Sequence, residues 1–229
     1  MQKYSRTIKV FLQRMFAGDK PSILVASMGR SGSTLLHSAV VTGWARKRFG
    51  VFAGGAQRFV ADEAWRLDEV NLIGGVVYKT HDLAQFVPKS ANIKALFVFD
   101  QPSKVAKSVA SCRAKFGCNW FEEHREHLRG DGTFQEFLER DTLRFEEQVL
   151  SWSTQDHVSV LGVRYSSIWE NKDAIEAFLG FSIRLPQKVP RTAPQVSADV
   201  LERIKQSYSA LDRRIDIVPD LFGDGKVDR

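Results

Sequence analysis

The chain has 229 residues, 43% hydrophobic and 26% charged, with a formal net charge of +6. That is long enough to bury a full core as one domain, and too ordinary in composition for a collagen-like, low-complexity or repeat architecture. The positive balance favours an anionic partner without ranking nucleic acid, a phosphorylated cofactor and an acidic glycan.

Residues 1–20 are predicted to form a helix. Ile8, Phe11, Leu12, Met15 and Phe16 can share one face, with Lys3, Arg6, Lys9 and Arg14 mostly elsewhere. We expect this helix to pack against its own domain. No apolar run approaches the ~20 residues that cross a bilayer, so no membrane insertion is expected and the chain reads as a cytoplasmic protein. Cys112 and Cys118 have no second pair to complete a metal site and are expected to be free thiols.

Short apolar runs then alternate with longer helical patterns, as in a sheet built from βαβ units. Residues 22–27 form the first strand and 33–46 the helix after it. A short strand covers 75–78, and "ALFVF" at 95–99 reads as a buried parallel strand, continuous in apolar residues. Pro102 opens a helix to about residue 115. A long amphipathic helix is predicted over 134–152, a strand within "HVSVLGVRY", and a helix over 173–179 ended by Gly180. The last helix, 197–215, has Ser197 as N-cap. The tail after Pro219 is expected to fray. The expectation is a single α/β domain over 1–229, a central mostly parallel sheet flanked by helices.

Between the first strand and helix lies "SMGRSGSTLL". A glycine-bearing turn entering a helix aims several N–H groups at one point, where the helix N-terminus adds partial positive charge. Gly29 and Gly32 let the backbone approach an anion, Arg30 offers a charged fork, and Ser31, Ser33 and Thr34 offer hydroxyls. A standard Walker A loop would carry lysine where Ser33 stands. The second constellation, Lys79-Thr80-His81, ends a strand. In open α/β sheets the ligand lies beyond the carboxyl ends of the strands, so the two segments can converge. Lysine then offers charge for a phosphate oxygen and histidine a base for an acceptor hydroxyl.

Together these segments resemble the sulfotransferase family, which uses 3′-phosphoadenosine 5′-phosphosulfate as donor on a fold like that of the P-loop NTPases. "SMGRSGSTLL" is similar to its 5′-phosphosulfate loop, and "KTH" with the following "VPKSANIKALFVF" to the stretch from the catalytic lysine and histidine to the next strand. "DQPSKVAKSVAS" stands where the 3′-phosphate strand–loop–helix belongs, ending near Ser108, and "LGVRYSSIWENKDAIEAFLGF" resembles the segment that closes over adenine. The resemblance implies sulfuryl transfer to a hydroxyl or amine of a small-molecule or glycan acceptor. His81 would be the general base, with Lys79 and Arg30 stabilising the transition state. Gly29, Arg30, Ser31, Gly32, Ser33 and Thr34 would hold the 5′-phosphate, Ser108 with Lys104, Lys107 or Arg191 the 3′-phosphate, and Tyr165 the adenine. No metal is implied.

The sequence departs from that pattern at Asp100, where the family carries an arginine on the 3′-phosphate, at Leu35, where it carries an aromatic, and in lacking a glycine-rich basic segment. Lys188 and Arg191 are candidates to replace the last. A carboxylate beside a phosphate is repulsive, so Asp100 is expected to turn away or to pair with Lys104 or Lys107. Two other readings stay open: an ATP or GTP phosphotransferase with Asp100 as a Mg²⁺ ligand, and an anion-binding relative without catalysis. "FEEHREHLRG", with His124 and His127, reads as a solvated charged helix; Trp120, Phe121 and Trp152 read as core packing with an acceptor-pocket lining as the alternative, and Trp44, Trp65 and Trp169 as core packing. No nucleic-acid motif is found.

Overall fold

Strand β1 (Ser22–Ser27) is buried at every position, because helices cover both faces of the sheet it centres. The computed structural model describes residues 2–89, 92–189 and 195–224. Around β1 lie α1 (Gln2–Ala17), α2 (Ser33–Phe49), α3 (Ala53–Val60), β2 (Ala61–Glu63) and β3 (Val77–Thr80). Next come β4 (Ile93–Phe99), α4 (Pro102–Phe116), α5 (Cys118–His127), α6 (Phe134–Phe137) and α7 (Phe145–Ser153). The chain closes with β5 (Ser159–Arg164), α8 (Lys172–Leu179), α9 (Ala198–Asp216) and β6 (Leu221–Gly223).

The sheet order is β2-β3-β1-β4-β5-β6, with β1 to β5 parallel and β6 antiparallel to β5. Alternate residues feed two cores. Leu24, Ala26, Phe97 and Phe99 pack with residues of α4, α5, α7 and α9, while Ile23, Val25, Leu96 and Val98 pack with α2 and α8. This is the α/β architecture expected, with one mostly parallel sheet between helical layers.

Three expectations need correction. The helix expected over 134–152 is two helices. Glu136 closes a capping box with Thr133 on α6, and the side chain of Asp141 accepts the first amides of α7, from Phe145 and Glu146, at 3.0 Å each. Asp141 offers the backbone an alternative to continuing the helix. The tail is not all frayed either: β6 pairs Phe222 with Gly162, and the Phe222 ring occupies the space a Cβ on Gly162 would need. Residues 225–229 lie outside the described residues. On α1, Phe11 and Met15 face outward rather than into the domain, while Gln13 is buried and Lys9 pairs with Asp62 at 3.1 Å. Among the described residues no helix is long and apolar enough to cross a membrane.

Candidate functional site

The turn leaving β1 is wound by positive φ angles at Gly29 (71°), Arg30 (44°) and Gly32 (104°). Successive residues of this kind turn their N–H groups to one side and make an anion-binding concavity. Gly32 is the N-cap of α2 and gives it no side-chain hydrogen bond, so the first-turn amides stay open to a ligand. No acidic residue occupies that turn. Two serines lock the loop. Ser27 Oγ accepts from Gly29 N–H at 3.2 Å, and Ser31 Oγ donates to the Val98 carbonyl at 2.8 Å. Ser31 is thereby turned into the protein, and its hydroxyl is not available to the cofactor as expected.

At the end of β3, Lys79 within the strand and His81 just past it reach the same loop. Lys79 Nζ donates to Thr34 Oγ1 at 3.1 Å. Burial, and the neighbouring Arg30, lower the Lys79 pKa against the opposing pull of Glu63. His81 Nδ1 lies 2.9 Å from Ser27 Oγ and 3.2 Å from the Ser27 carbonyl. A carbonyl can only accept, so the contact to it favours the tautomer with the ring hydrogen on Nδ1 and the lone pair on Nε2. Burial above all, with the Lys79 charge and the neighbouring His124 ring adding to it, pushes the His81 pKa well below its ordinary value, which keeps the imidazole neutral.

The next residue holds this exit in place. Asp82 is fully buried and accepts from the amides of Leu67 and Leu83 at 2.8 and 2.9 Å, and from Arg129 Nε at 2.6 Å. Arg129 also pairs with Asp68. Gln148 and Trp152 donate to the carbonyls of His81 and Asp82.

On the other side of the loop, Arg30 Nε donates to Ser108 Oγ at 3.3 Å across α4. Lys104, Lys107 and Ser108 lie on the α4 face that lines the cavity. Asp100 is turned away: it is buried, accepts from the Gln101 amide at 2.9 Å, approaches Lys104 at 3.8 Å and is not among the cavity-lining residues. Tyr165 packs on the loop so closely that a Cβ on Gly32 would lie 2.2 Å from its ring.

These groups enclose one cavity of about 1060 Å³. Arg30, Gly32, Ser33, Thr34, Lys79, His81, Lys104, Lys107, Ser108 and Tyr165 all line it, as does Leu35. Gly29 is not among the cavity-lining residues. Lys188 is elsewhere, donating to Glu170 at 2.7 Å and to the Ser166 carbonyl at 2.8 Å, so it does not replace the missing basic segment. Arg191 lies outside the described residues.

The far wall is aromatic, and sequence reasoning missed most of it. His124 is buried rather than solvated, and Trp120 stacks on it at 4.8 Å. Trp65 stacks on His127 at 4.2 Å and lies 5.0 Å from His81. Trp65 and Trp120 therefore wall the cavity instead of filling the core. Trp44, Phe121 and Trp152 are core residues as expected. Ser27, which orients His81, was also missed. A usable signal existed on α5, where Trp120, Phe121, His124 and Leu128 recur at helical spacing.

The donor set suits an anionic ligand: open loop amides with Arg30 and Lys79, and Lys104, Lys107 and Ser108 on α4 beside them. Among the described residues no cluster of His, Cys, Asp and Glu is arranged to hold a metal ion.

No family model and no curated protein matches the chain. Solved structures similar to it include a mouse sulfotransferase, SULT7A1, complexed with PAP, at 16% identity and a TM-score of 0.41, covering 95% of this chain and 76% of that one. Retinol dehydratase in a complex with retinol and PAP is similar at 16% identity and a TM-score of 0.47, covering 84% and 65%. The same enzyme with androsterone and inactive cofactor PAP gives 15% and 0.41, covering 90% and 74%.

Proposed function

We propose that the chain is a sulfotransferase moving a sulfuryl group from 3′-phosphoadenosine 5′-phosphosulfate to a hydroxyl or amine of a small-molecule or glycan acceptor. The observation that carries this reading is the meeting of Arg30, Lys79 and His81, from two different strand ends, around one cavity. A base and two cations at the mouth of an amide cradle suit a reaction that must deprotonate one atom and stabilise another.

Ser33, Thr34 and the loop amides would hold the 5′-phosphate, and Ser108, Lys104 and Lys107 the 3′-phosphate. Tyr165 and Leu35 would pack on the adenine. When bound, the donor supplies the sulfuryl group and leaves as adenosine 3′,5′-bisphosphate. His81 Nε2 takes the proton of the acceptor hydroxyl or amine. The Nδ1 hydrogen, held by Ser27, keeps that tautomer in place. Lys79 and Arg30 neutralise charge on the departing phosphate. Their cationic side chains are already fixed, so little reorganisation is needed as that charge develops.

A phosphotransferase would need Asp100 at the reaction centre, and its engagement with Gln101 and Lys104 weighs against that. Ligand-dependent melting tests the choice. Adenosine 3′,5′-bisphosphate at 100 times its dissociation constant should add about 2.7 kcal/mol of stability. A shift with Mg·ATP or Mg·GTP but not the bisphosphate would overturn the proposal.

A further inference from the structure

Two apolar side chains of α1 stand on the side of the helix away from the domain. Lys9 pairs with Asp62 at 3.1 Å and Gln13 Nε2 donates to the same carboxylate at 3.4 Å, so the side carrying Lys9 and Gln13 is turned inward. Phe11, Arg14 and Met15 fall on the opposite side at helical spacing, and Phe11 and Met15 are 62% and 64% exposed. Val51 and Phe52, in the turn between α2 and α3, are barer still at 93% and 78%, and α1 packs on α3. The ends of α1 and α2 also meet. Arg48 Nη1 donates to the Gly75 carbonyl at 3.0 Å, and a Cβ on Gly75 would lie 3.4 Å from the Ala17 carbonyl. Gly75 precedes β3, so these residues gather at the amino end of the sheet, opposite the cavity.

Charge identifies what this face can meet. Residues 1–60 hold ten Lys or Arg and a single acidic residue, Asp19, although the whole chain has a net charge of only +6. Arg30 belongs to the cavity, whereas Arg14, Lys20, Arg46, Lys47 and Arg58 are exposed away from it. We propose that this face rests on an anionic lipid surface, with Phe11, Met15, Val51 and Phe52 entering the headgroup layer and the surrounding cations on lipid phosphates. Bare apolar side chains among Lys and Arg are what a helix lying in the membrane interface requires. Two copies meeting through this face would set like charges against each other, which disfavours self-association. The helix lies on the surface without crossing it, and the cavity at the other end of the sheet stays open to water. This inference is independent of the sulfotransferase reading.

Cosedimentation of the full chain with vesicles is the test, comparing an equal mixture of phosphatidylcholine and phosphatidylglycerol with phosphatidylcholine alone. The protein should pellet with the mixed vesicles, stay in solution with the neutral ones, and be released by salt. The Phe11→Ser, Met15→Ser double variant should lower the partition coefficient by about tenfold or more, because two large apolar side chains leave the interface. Val51→Ser, Phe52→Ser should do the same from the α2–α3 turn, and it stands in should the first variant fail to fold, as judged by melting without vesicles. Arg14→Gln removes one charge and should cost about fivefold. Absence of binding to the mixed vesicles, equal binding to the neutral ones, or serine variants that bind as the wild type does would overturn the proposal. So would a wild-type dimer in sedimentation velocity that the serine variants lack, since the face would then belong to a second copy.

Discussion

Lys79 and His81 grip the two ends of one loop: Lys79 Nζ bonds Thr34 Oγ1 at 3.1 Å, while His81 Nδ1 lies 2.9 Å from Ser27 Oγ. Residues two apart at the end of a strand project to the same side, so the β1–β3 register, with Ala26 opposite Thr80, sets both contacts at once. The lysine–histidine pair and the glycine-bearing loop are thus positioned by the same strand pairing.

His81→Ala should lower kcat by about 10²-fold or more, the usual contribution of a general base, and leave the bisphosphate-induced melting shift intact. Ser27→Ala should cost less, since it removes one of two contacts to Nδ1 and the Ser27 carbonyl remains. Single-turnover rates with labelled donor check both. Wild-type turnover in His81→Ala would refute the base assignment.

Arg30→Ala should weaken bisphosphate binding by about 10- to 100-fold, the range for a charge-assisted hydrogen bond, and lower kcat as well. The guanidinium reaches Ser108 across the cavity, so it touches both anion ends. Arg30→Lys should recover only part of the affinity, because an ammonium lacks the planar fork. Calorimetry measures the first effect, and an unchanged dissociation constant would count against any role for this residue.

Gly32→Ala should abolish the bisphosphate-dependent melting shift. Its φ of 104° is unfavourable for alanine, and the added methyl would lie 2.2 Å from Tyr165. Either the loop unwinds or Tyr165 swings out, and both open the adenine side. The unliganded protein should lose about 1–3 kcal/mol, read from urea unfolding. A normal nucleotide shift in this variant would show that Tyr165 does not close the site.

The glycine turn and β3 exit were legible because their constraints are local: glycines where φ turns positive, and a lysine and histidine two apart at a strand end. The aromatic wall was not. His124 sits in a run of Glu and Arg that reads as solvated, and only the docking of α5 over Gly29 makes it interior. The break inside 134–152 was hidden for a related reason. Its apolar residues keep a helical period, and the cap supplied by Asp141 competes with that period from a single position. Asp100 was legible as an anomaly, but its pairing with Lys104 required coordinates.

Arg129→Ala should destabilise the fold by about 3–5 kcal/mol, the cost of leaving a buried carboxylate without its partner. Asp82 is fully buried, and Arg129 supplies its only ion pair among the described residues. The Asp82→Asn, Arg129→Ala double variant should recover part of the loss, because the remaining side chain no longer carries a buried charge. Urea midpoints measure both. A loss below about 1 kcal/mol would mean that the amides of Leu67 and Leu83 suffice to hold Asp82.

Acid should weaken the fold before carboxylates titrate. His124 is held at about 3, and His81 and His127 are also lowered, burial being the largest cause in each. Well above pH 6.5 neither folded nor unfolded histidine binds a proton, so these groups contribute no pH dependence there. Below it the unfolded chain takes up protons that the folded one refuses, and stability falls as pH falls towards the folded pKa. For His124 alone the loss between pH 7 and pH 5 is about 2 kcal/mol. Urea midpoints at pH 7, 6 and 5 should therefore decline, and His124→Phe should decline less steeply because it has one fewer buried imidazole. Identical slopes for the two proteins would show that His124 is hydrated in solution, and that its nitrogen is not withheld from water as its place beneath the loop requires.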